Sequence, residues 1–212
     1  MDLKGKKINV IGDSITYGVG TSNAENIFLN RIAREEGLAA ARNYGISGAR
    51  IAHQQGNEDN YPYAYCDRFG EMDDDADIVV VFGGTNDYGH GNAPIGTFSD
   101  RCTSTYYGAW HLLLSGLITK YPDALIAVMT PLHRCDENNP SVGNGLPLSR
   151  YVEIAREVAA YYAVPVLDLY TLSGIQPEHP VLKAKYCPDG LHPNDAGHRL
   201  IADRLAGFLK TL

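Results

Sequence analysis

The chain has 212 residues, of which 44% are hydrophobic and 20% charged, and its formal net charge is −7. This length and composition predict one globular domain over residues 1–212, with a hydrophobic core of its own. The negative charge argues against nucleic-acid binding, because phosphates are bound by basic surfaces. No apolar run approaches the roughly 18 residues that cross a membrane, and the first residues lack a signal-peptide core. We therefore expect a cytoplasmic protein without a membrane partner.

The predicted elements alternate between strand and helix. In chain order they are a strand at 7–12, a helix at 23–36, strands at 40–44 and 76–84, a helix at 101–120, a strand at 124–130, a helix at 147–162, a strand at 164–169 and a helix at 194–210. The runs at 76–84 and 124–130 are apolar throughout, as expected for parallel strands covered on both faces. This pattern predicts an α/β fold with three α/β/α layers around a five-stranded parallel sheet.

Polar clusters follow predicted strands or lie in the last loop, at residues 12–14, 43–48, 83–87 and 189–192. Ligands of parallel sheets bind at the carboxyl ends of the strands, where most of these clusters lie. A serine hydroxyl becomes a nucleophile when a base takes its proton, and the usual base is a histidine oriented by a carboxylate. Ser14 is the candidate nucleophile. Asp189 lies three residues before His192, within reach of the Nδ1 atom of that ring.

An acyl-transfer reaction also needs fixed hydrogen-bond donors for the negatively charged oxygen that develops on the substrate. The candidate donors are the backbone N–H of Ser14, the backbone N–H of Gly48 and the side-chain amide of Asn86. A glycine at position 48 lets the backbone come close to a substrate, where a side chain would block it. Gly45 is an alternative donor in the same cluster; Gly48 is favoured because it lies further past the strand.

The segments GDSITYG, NYGISG, GGTND and DGLHPN occur in this order and extend from residue 12 to residue 194. In these four blocks the chain resembles the SGNH (GDSL-type) hydrolase superfamily, with isoleucine in place of the leucine after the serine. The resemblance implies a flavodoxin-like α/β fold, and Ser14 as the nucleophile. It also implies that Gly48 and Asn86 stabilise the oxyanion and that Asp189 and His192 complete the catalytic triad.

Other polar residues near these blocks have less specific interpretations. Asp13 and Asp87 are expected to hold loops together by accepting backbone hydrogen bonds, as acids do in turns. Asp13, Tyr88 and His90 are nevertheless candidates for the substrate pocket, since they adjoin the predicted catalytic segments. The long segment 88–107 is expected to form either a wall of that pocket or a subunit contact. His198 lies inside the last helix, where a solvated position is expected.

No metal site or disulfide framework is predicted. The cysteines, which are Cys66, Cys102, Cys135 and Cys187, contain no C-x-x-C pair and are expected to be reduced thiols. The acidic run at 73–77 precedes a strand, at the opposite end of the sheet from the expected cleft, and is interpreted as a solvated turn.

These observations favour a serine esterase that uses no cofactor and acts on a small-molecule ester. An acetyl group on a carbohydrate or similar polyol is the preferred substrate, because the loops are polar and no long apolar loop is present to enclose a fatty chain. The alternatives are a lipase or thioesterase for longer acyl chains, and a non-catalytic module that binds a glycan or nucleotide. The glycine signatures that hold phosphates are missing, which argues against the last. Homo-oligomers are the default for soluble proteins, but no stretch of sequence indicates an interface.

Overall fold

The computed structural model describes residues 1–56 and 63–212 of the chain. Within these ranges, one parallel sheet has the strand order β2-β1-β3-β4-β5. The strands are β1 (Lys7–Gly12), β2 (Ala40–Gly45), β3 (Ile78–Phe82), β4 (Leu125–Met129) and β5 (Val166–Leu167). The five-stranded parallel sheet predicted from the sequence is confirmed.

Helices cover both faces of this sheet. In the described ranges they are α1 (Ser14–Tyr17), α2 (Phe28–Glu36), α3 (Tyr65–Arg68), α4 (Thr85–Gly89), α5 (Tyr106–Lys120), α6 (Leu148–Tyr161), α7 (Leu169–Leu172), α8 (Pro180–Tyr186) and α9 (Asp195–Thr211). Val79 and Val81 face a core formed with α3, α5 and α6, whereas Val80 faces a second core formed with α2 and α9. Successive side chains of a strand point to opposite faces, so β3 is apolar throughout because both of its faces are buried.

The register of the sheet brings the ends of three strands level with one another. Gly12 at the end of β1 pairs with Gly45 at the end of β2 on one side and with Phe82 at the end of β3 on the other. The segments that follow these three residues therefore start at one edge of the sheet. They contain Ser14, Gly48 and Asn86, respectively.

Two predicted helices start later than the periodicity indicates. In the predicted helix 23–36, a 3-10 turn at Ala24–Asn26 is separated from α2 by Ile27, whose ψ of 134° interrupts the helix. The predicted helix 101–120 begins only at Tyr106, because Thr105 is in an extended conformation and its side chain accepts a hydrogen bond from the Gly108 amide. A threonine in that position is a strong N-cap, and it marks the true start of the helix.

The expectation of a solvated His198 is wrong, because this side chain is completely buried. Its Nδ1 atom accepts a hydrogen bond of 3.2 Å from the backbone N–H of Phe28, and its ring stacks on the Phe28 ring. Burial lowers the pKa of His198 to about 4, so the ring is neutral at physiological pH. His198 thus joins α9 to the first turn of α2 within the core.

The long segment 88–107 contributes more to the core than the sequence suggested. Tyr106 and Tyr107 form the first turn of α5 and are buried, and the exposed ring of Phe98 packs edge-on against Tyr107 and His111. Among the helices in the described ranges, none combines the length and hydropathy that crossing a bilayer requires.

Candidate active site

A sharp turn from strand to helix presents Ser14 at the edge of the sheet. β1 ends at Gly12, and Ser14 is already the first residue of α1. The carboxylate of Asp13 caps this short helix by accepting a hydrogen bond of 2.9 Å from the Ile15 amide. A side chain at position 12 would overlap the side chain of Thr16, so only glycine permits a turn this tight.

Ser14 and His192 are 178 residues apart along the chain, but Ser14 Oγ lies 3.0 Å from His192 Nε2. The other ring nitrogen, Nδ1, lies 2.7 Å from an oxygen of Asp189. Because an ionised carboxylate only accepts hydrogen bonds, Nδ1 carries the ring proton and Nε2 presents its lone pair to the serine hydroxyl. The structure therefore places a hydroxyl, an imidazole and a carboxylate in series.

The carboxylate of Asp189 is held by the backbone as well as by the imidazole. Its Oδ1 atom accepts hydrogen bonds from the backbone N–H groups of Leu191 (2.8 Å) and His192 (2.7 Å). Partial burial raises the pKa of Asp189, but these two hydrogen bonds and the His192 ring outweigh it, so the pKa lies below its usual value. Asp189 is therefore ionised at neutral pH and orients the ring.

Of the two candidate glycines in the second block, only Gly48 has an available amide. In the described part of the chain, its N–H group makes no hydrogen bond, and a Cβ at this position would meet no atom within 4 Å. The amide of Gly45 instead donates to Asn43 Oδ1 at 2.8 Å, and a Cβ at Gly45 would overlap the backbone nitrogen of Tyr17. Gly45 thus packs against α1, whereas Gly48 lies in an open turn with φ of +80°.

Asn86 is 4% exposed and lies at the start of α4. Its Nδ2 atom donates a hydrogen bond of 3.0 Å to the carbonyl oxygen of Ala49, next to Gly48. Its Oδ1 atom lies 3.0 Å from Nε2 of His90. An amide nitrogen has two hydrogens, so a second N–H of Asn86 remains to donate to a ligand.

Asp13 and Asp87 are both buried and both accept backbone hydrogen bonds. Asp87 accepts from the amides of Ile51 (3.0 Å) and Ala52 (3.2 Å), and Asp13 caps α1. Burial raises the pKa of Asp13 to about 7 and that of Asp87 to about 6. The buried carboxylate of Asp13 therefore holds its own turn, through an amide two residues on, whereas that of Asp87 connects α4 to the loop after β2.

The other two pocket candidates have different surroundings. Tyr88 is buried, and its hydroxyl donates to the carbonyl oxygens of Asp136 and Asn139. His90 is exposed, with both ring nitrogens close to polar partners, Arg50 and Asn86. Of the two, His90 is the one that lies at the protein surface beside Asn86.

Several residues that support this edge have no signal in the sequence. The buried guanidinium of Arg68 donates to the carbonyl oxygens of Gly12 (2.6 Å) and Tyr44 (2.5 Å), and so joins the ends of β1 and β2. The backbone N–H and the hydroxyl of Ser22 donate to the carboxylate of Asp195 at 2.8 and 2.6 Å. The second pair connects the segment after Ser14 to the helix that follows His192.

In the described ranges, one group of side chains brings three metal-ligand types together, with the ligand atoms of His53, Cys66 and Asp67 within 4.8 Å of one another. His53 Nε2 and Asp67 Oδ2 already form a hydrogen bond of 2.5 Å. Burial and the adjacent Asp67 raise the pKa of the Cys66 thiol. A metal would need the thiolate, so the chemistry of this group does not favour one. All four cysteines are free.

Known proteins resemble this chain over nearly its whole length. Residues 10–200 match the GDSL-like Lipase/Acylhydrolase family. A GDSL lipase of Mycobacterium tuberculosis is 27% identical over 223 aligned positions, covering 99% of this chain and 84% of that protein. A crystal structure of a protein from Lactobacillus plantarum is 34% identical, with a TM-score of 0.85 over 98% of each chain. A carbohydrate acetylesterase family member from Sinorhizobium meliloti shares the fold, with a TM-score of 0.67 at 16% identity over 97% of this chain and 98% of that one. The chain belongs to the GDSL-like lipase/acylhydrolase family, within the SGNH hydrolase superfamily.

Proposed function

We propose that this protein is a serine esterase that hydrolyses carboxylic esters through a Ser14–His192–Asp189 triad and an acyl-enzyme. The observation that carries the proposal is the pair of contacts made by the His192 ring. Its Nε2 atom lies 3.0 Å from Ser14 Oγ, and its Nδ1 atom lies 2.7 Å from Asp189 Oδ2. This is the geometry in which an imidazole takes the proton of an attacking hydroxyl.

The reaction has two halves. In the first, His192 Nε2 takes the hydroxyl proton while Ser14 Oγ forms a bond to the ester carbonyl carbon, and the C=O π electrons move onto the oxygen. The tetrahedral intermediate then collapses, the C–O bond to the alcohol breaks, and His192 returns the proton to the alcohol. In the second half, water attacks the acyl carbon while His192 Nε2 takes its proton; the bond between the acyl carbon and Ser14 Oγ then breaks, His192 returns the proton to Oγ, and the acid is released.

Three donors stabilise the negative oxygen in this proposal. The amide of Ser14 is at the first position of a helix, where no intrahelical acceptor is available. The amide of Gly48 and the second Nδ2–H of Asn86 complete the set. Removal of one such donor typically costs about 10²–10³ in rate, because it acts where charge develops in the transition state.

The substrate we favour is a small acyl group, such as acetyl, on a carbohydrate or similar polyol. Near Ser14 and Gly48 in the sequence, the side chains of Tyr17, at the end of α1, and Ser47 are exposed and offer an aromatic face and hydroxyl groups. A polyol, which has several hydroxyl groups, can form hydrogen bonds with such a surface, whereas an alkyl chain cannot. The Mycobacterium tuberculosis relative is a GDSL lipase, which favours the alternative of a longer acyl chain.

A panel of esters separates these alternatives. Purified parent protein, Ser14→Ala and a control variant of an exposed serine, Ser99→Ala, are compared on acetyl, butyryl and octanoyl esters of one chromophore, and on sugar acetates. We expect Ser14→Ala to lose nearly all turnover while its circular dichroism is unchanged, and Ser99→Ala to retain parent activity. Turnover of Ser14→Ala at the parent rate would refute the triad, and a preference for octanoyl over acetyl would refute the small acyl group.

A binding module of the same fold would have no activated serine. A fluorescent organophosphonate therefore provides a second test, since the label attaches covalently to a nucleophilic serine. We expect one label per chain in the parent and none in Ser14→Ala.

A further inference from the structure

The side chain of Asn86 functions in the proposed reaction only if its NH₂ group, rather than its oxygen, faces the substrate. We propose that His90 is the positioning residue that holds the Asn86 carboxamide in this orientation, through a hydrogen-bond chain that begins at Arg50. The inference rests on the esterase mechanism proposed above, because that mechanism assigns Asn86 to the oxyanion.

Rotation of an amide by 180° exchanges its oxygen and nitrogen with almost no change in shape, so its orientation is decided by its hydrogen-bond partners. At Asn86, one partner is the carbonyl oxygen of Ala49, which is an acceptor and lies 3.0 Å from Nδ2. The other is His90 Nε2, at 3.0 Å from Oδ1. The orientation is secure only if the His90 nitrogen is a donor.

The contact with Arg50 determines which nitrogen of the His90 ring carries the proton. Its Nη2 atom forms a hydrogen bond with His90 Nδ1. A guanidinium has N–H donors and no acceptor, so Nδ1 must supply a lone pair and cannot carry the proton of a neutral ring. The proton is then on Nε2, which donates it to Asn86 Oδ1. The chain therefore runs from Arg50 through His90 and Asn86 to the carbonyl oxygen of Ala49, with a donor and an acceptor at each step.

The charge state of His90 is consistent with this assignment. Although the residue has an exposed surface, its ring packs between protein groups, and this local desolvation, with the positive charges of Arg50 and Arg134, lowers the pKa of His90 below its ordinary value. The ring is accordingly neutral at neutral pH and exists as one tautomer.

The local fold brings the two side chains together. His90 follows Asn86 by four residues, and its backbone N–H donates to the Asn86 carbonyl oxygen at 3.1 Å, so both side chains lie on the same side of one helical turn. The bond to Ala49 adds a connection to the neighbouring loop, because Ala49 adjoins Gly48. Fixing the Asn86 amide thus also fixes the distance between two of the three proposed donors.

The first test measures kcat and KM for three variants of His90 in the full-length protein. His90→Leu removes the donor, His90→Asn is polar but its amide cannot reach the position of Nε2, and His90→Gln places an amide N–H there. We expect kcat to fall about tenfold in His90→Leu and His90→Asn, which is less than the complete loss of a donor, with KM changed less than about twofold. His90→Gln should restore kcat to within about threefold of the parent. His179→Leu, an exposed histidine whose side chain makes no hydrogen bond in the described residues, serves as the control.

A double-mutant cycle that combines His90→Leu with Asn86→Ala distinguishes positioning of the Asn86 amide from general support of the fold. If His90 acts through Asn86, His90→Leu should have almost no further effect on kcat in an Asn86→Ala background. A full tenfold loss in that background, or parent kcat in His90→Leu itself, would overturn the proposal.

A measurement without turnover keeps this inference separate from the proposed function. In ¹⁵N NMR of the histidine rings at pH 7, we expect His90 to be protonated on Nε2 and not on Nδ1, and the Nδ2 amide signals of Asn86 to shift in His90→Asn. Protonation on Nδ1, or on both nitrogens, would refute the proposed hydrogen-bond chain even if the esterase mechanism holds. The esterase mechanism is tested independently, because it would be refuted by turnover of Ser14→Ala at the parent rate.

Discussion

Gly20 lies directly against the backbone that carries His192. A Cβ at Gly20 would overlap the carbonyl oxygen of Pro193 and would come within 3.3 Å of the Cβ of His192. This contact and the hydrogen bonds from Ser22 to Asp195 pack the segment after Ser14 against the segment that contains His192, the proposed base. The distance between the hydroxyl and the imidazole therefore depends on a glycine outside the four sequence blocks.

We expect Gly20→Ala to lower kcat about 10- to 100-fold, because displacement of a reacting group by about 1 Å has effects of that size. Gly5→Ala is the matched control: Gly5 also has a positive φ, of +76° against +97° for Gly20, but a Cβ there would meet no atom within 4 Å. It should cost only about 1 kcal/mol of stability, from left-handed strain, and leave kcat unchanged. Parent kcat in Gly20→Ala would show that the His192 segment does not depend on this contact.

Asp189→Asn should separate orientation of the His192 ring from folding of its loop. An asparagine oxygen can still accept hydrogen bonds from the amides of Leu191 and His192, so the turn should form. Its NH₂ group, however, would face Nδ1 and favour the tautomer with the proton on Nε2, which cannot accept the Ser14 proton. We expect kcat to fall about 10³-fold with little change in melting temperature. The exposed acid Asp203, replaced by asparagine, provides the control, and a loss of kcat below tenfold would contradict the tautomer argument.

The two glycines of the second block should respond differently to alanine. In Gly45→Ala, the new methyl group would overlap the backbone nitrogen of Tyr17, which cannot move without displacing α1. In Gly48→Ala, the methyl group enters open space, and the cost is the strain of a positive φ, about 1 kcal/mol. Urea denaturation should therefore show a much larger loss of unfolding free energy for Gly45→Ala. Equal losses for the two variants would contradict the assignment of Gly45 to packing.

Asp13 should give the stability a specific pH dependence. Its pKa is about 7 in the folded protein, against 3.8 for an unperturbed aspartate, so between these values the folded state binds more protons than the unfolded state. The contribution of Asp13 to the unfolding free energy is therefore present at low pH and is lost as the pH rises to about 7. Asp13→Asn keeps the helix cap, since asparagine caps as well as aspartate, and removes this titration.

Measured by urea denaturation from pH 4 to pH 8, Asp13→Asn should become more stable relative to the parent as the pH rises, by roughly 1–4 kcal/mol over this range. His198, whose folded pKa is about 4, has the opposite dependence, but it is present in both proteins and cancels in the difference. A difference that does not change with pH would mean that Asp13 is ionised throughout.

The sequence by itself determined much of the fold and those contacts of the site that join residues close together along the chain. An uninterrupted apolar run such as β3 can only be buried on both faces, and its alternation with helices requires a parallel sheet. The pairing of Asp189 with His192 was also predictable, because three residues in one turn bring the carboxylate to the ring. The four blocks in order identified the family.

Tertiary structure alone decided the contacts between separate segments. Whether Gly45 or Gly48 has a free amide depends on the packing of α1 against β2, and the periodicity of α9 does not reveal that His198 is buried against α2. The chain from Arg50 through His90 to Asn86 joins loops that follow different strands, and the register of the sheet brings those loops to one edge. Local patterns encode backbone conformation and burial, whereas the meeting of distant side chains depends on the relative positions of packed elements, which no local stretch of sequence contains.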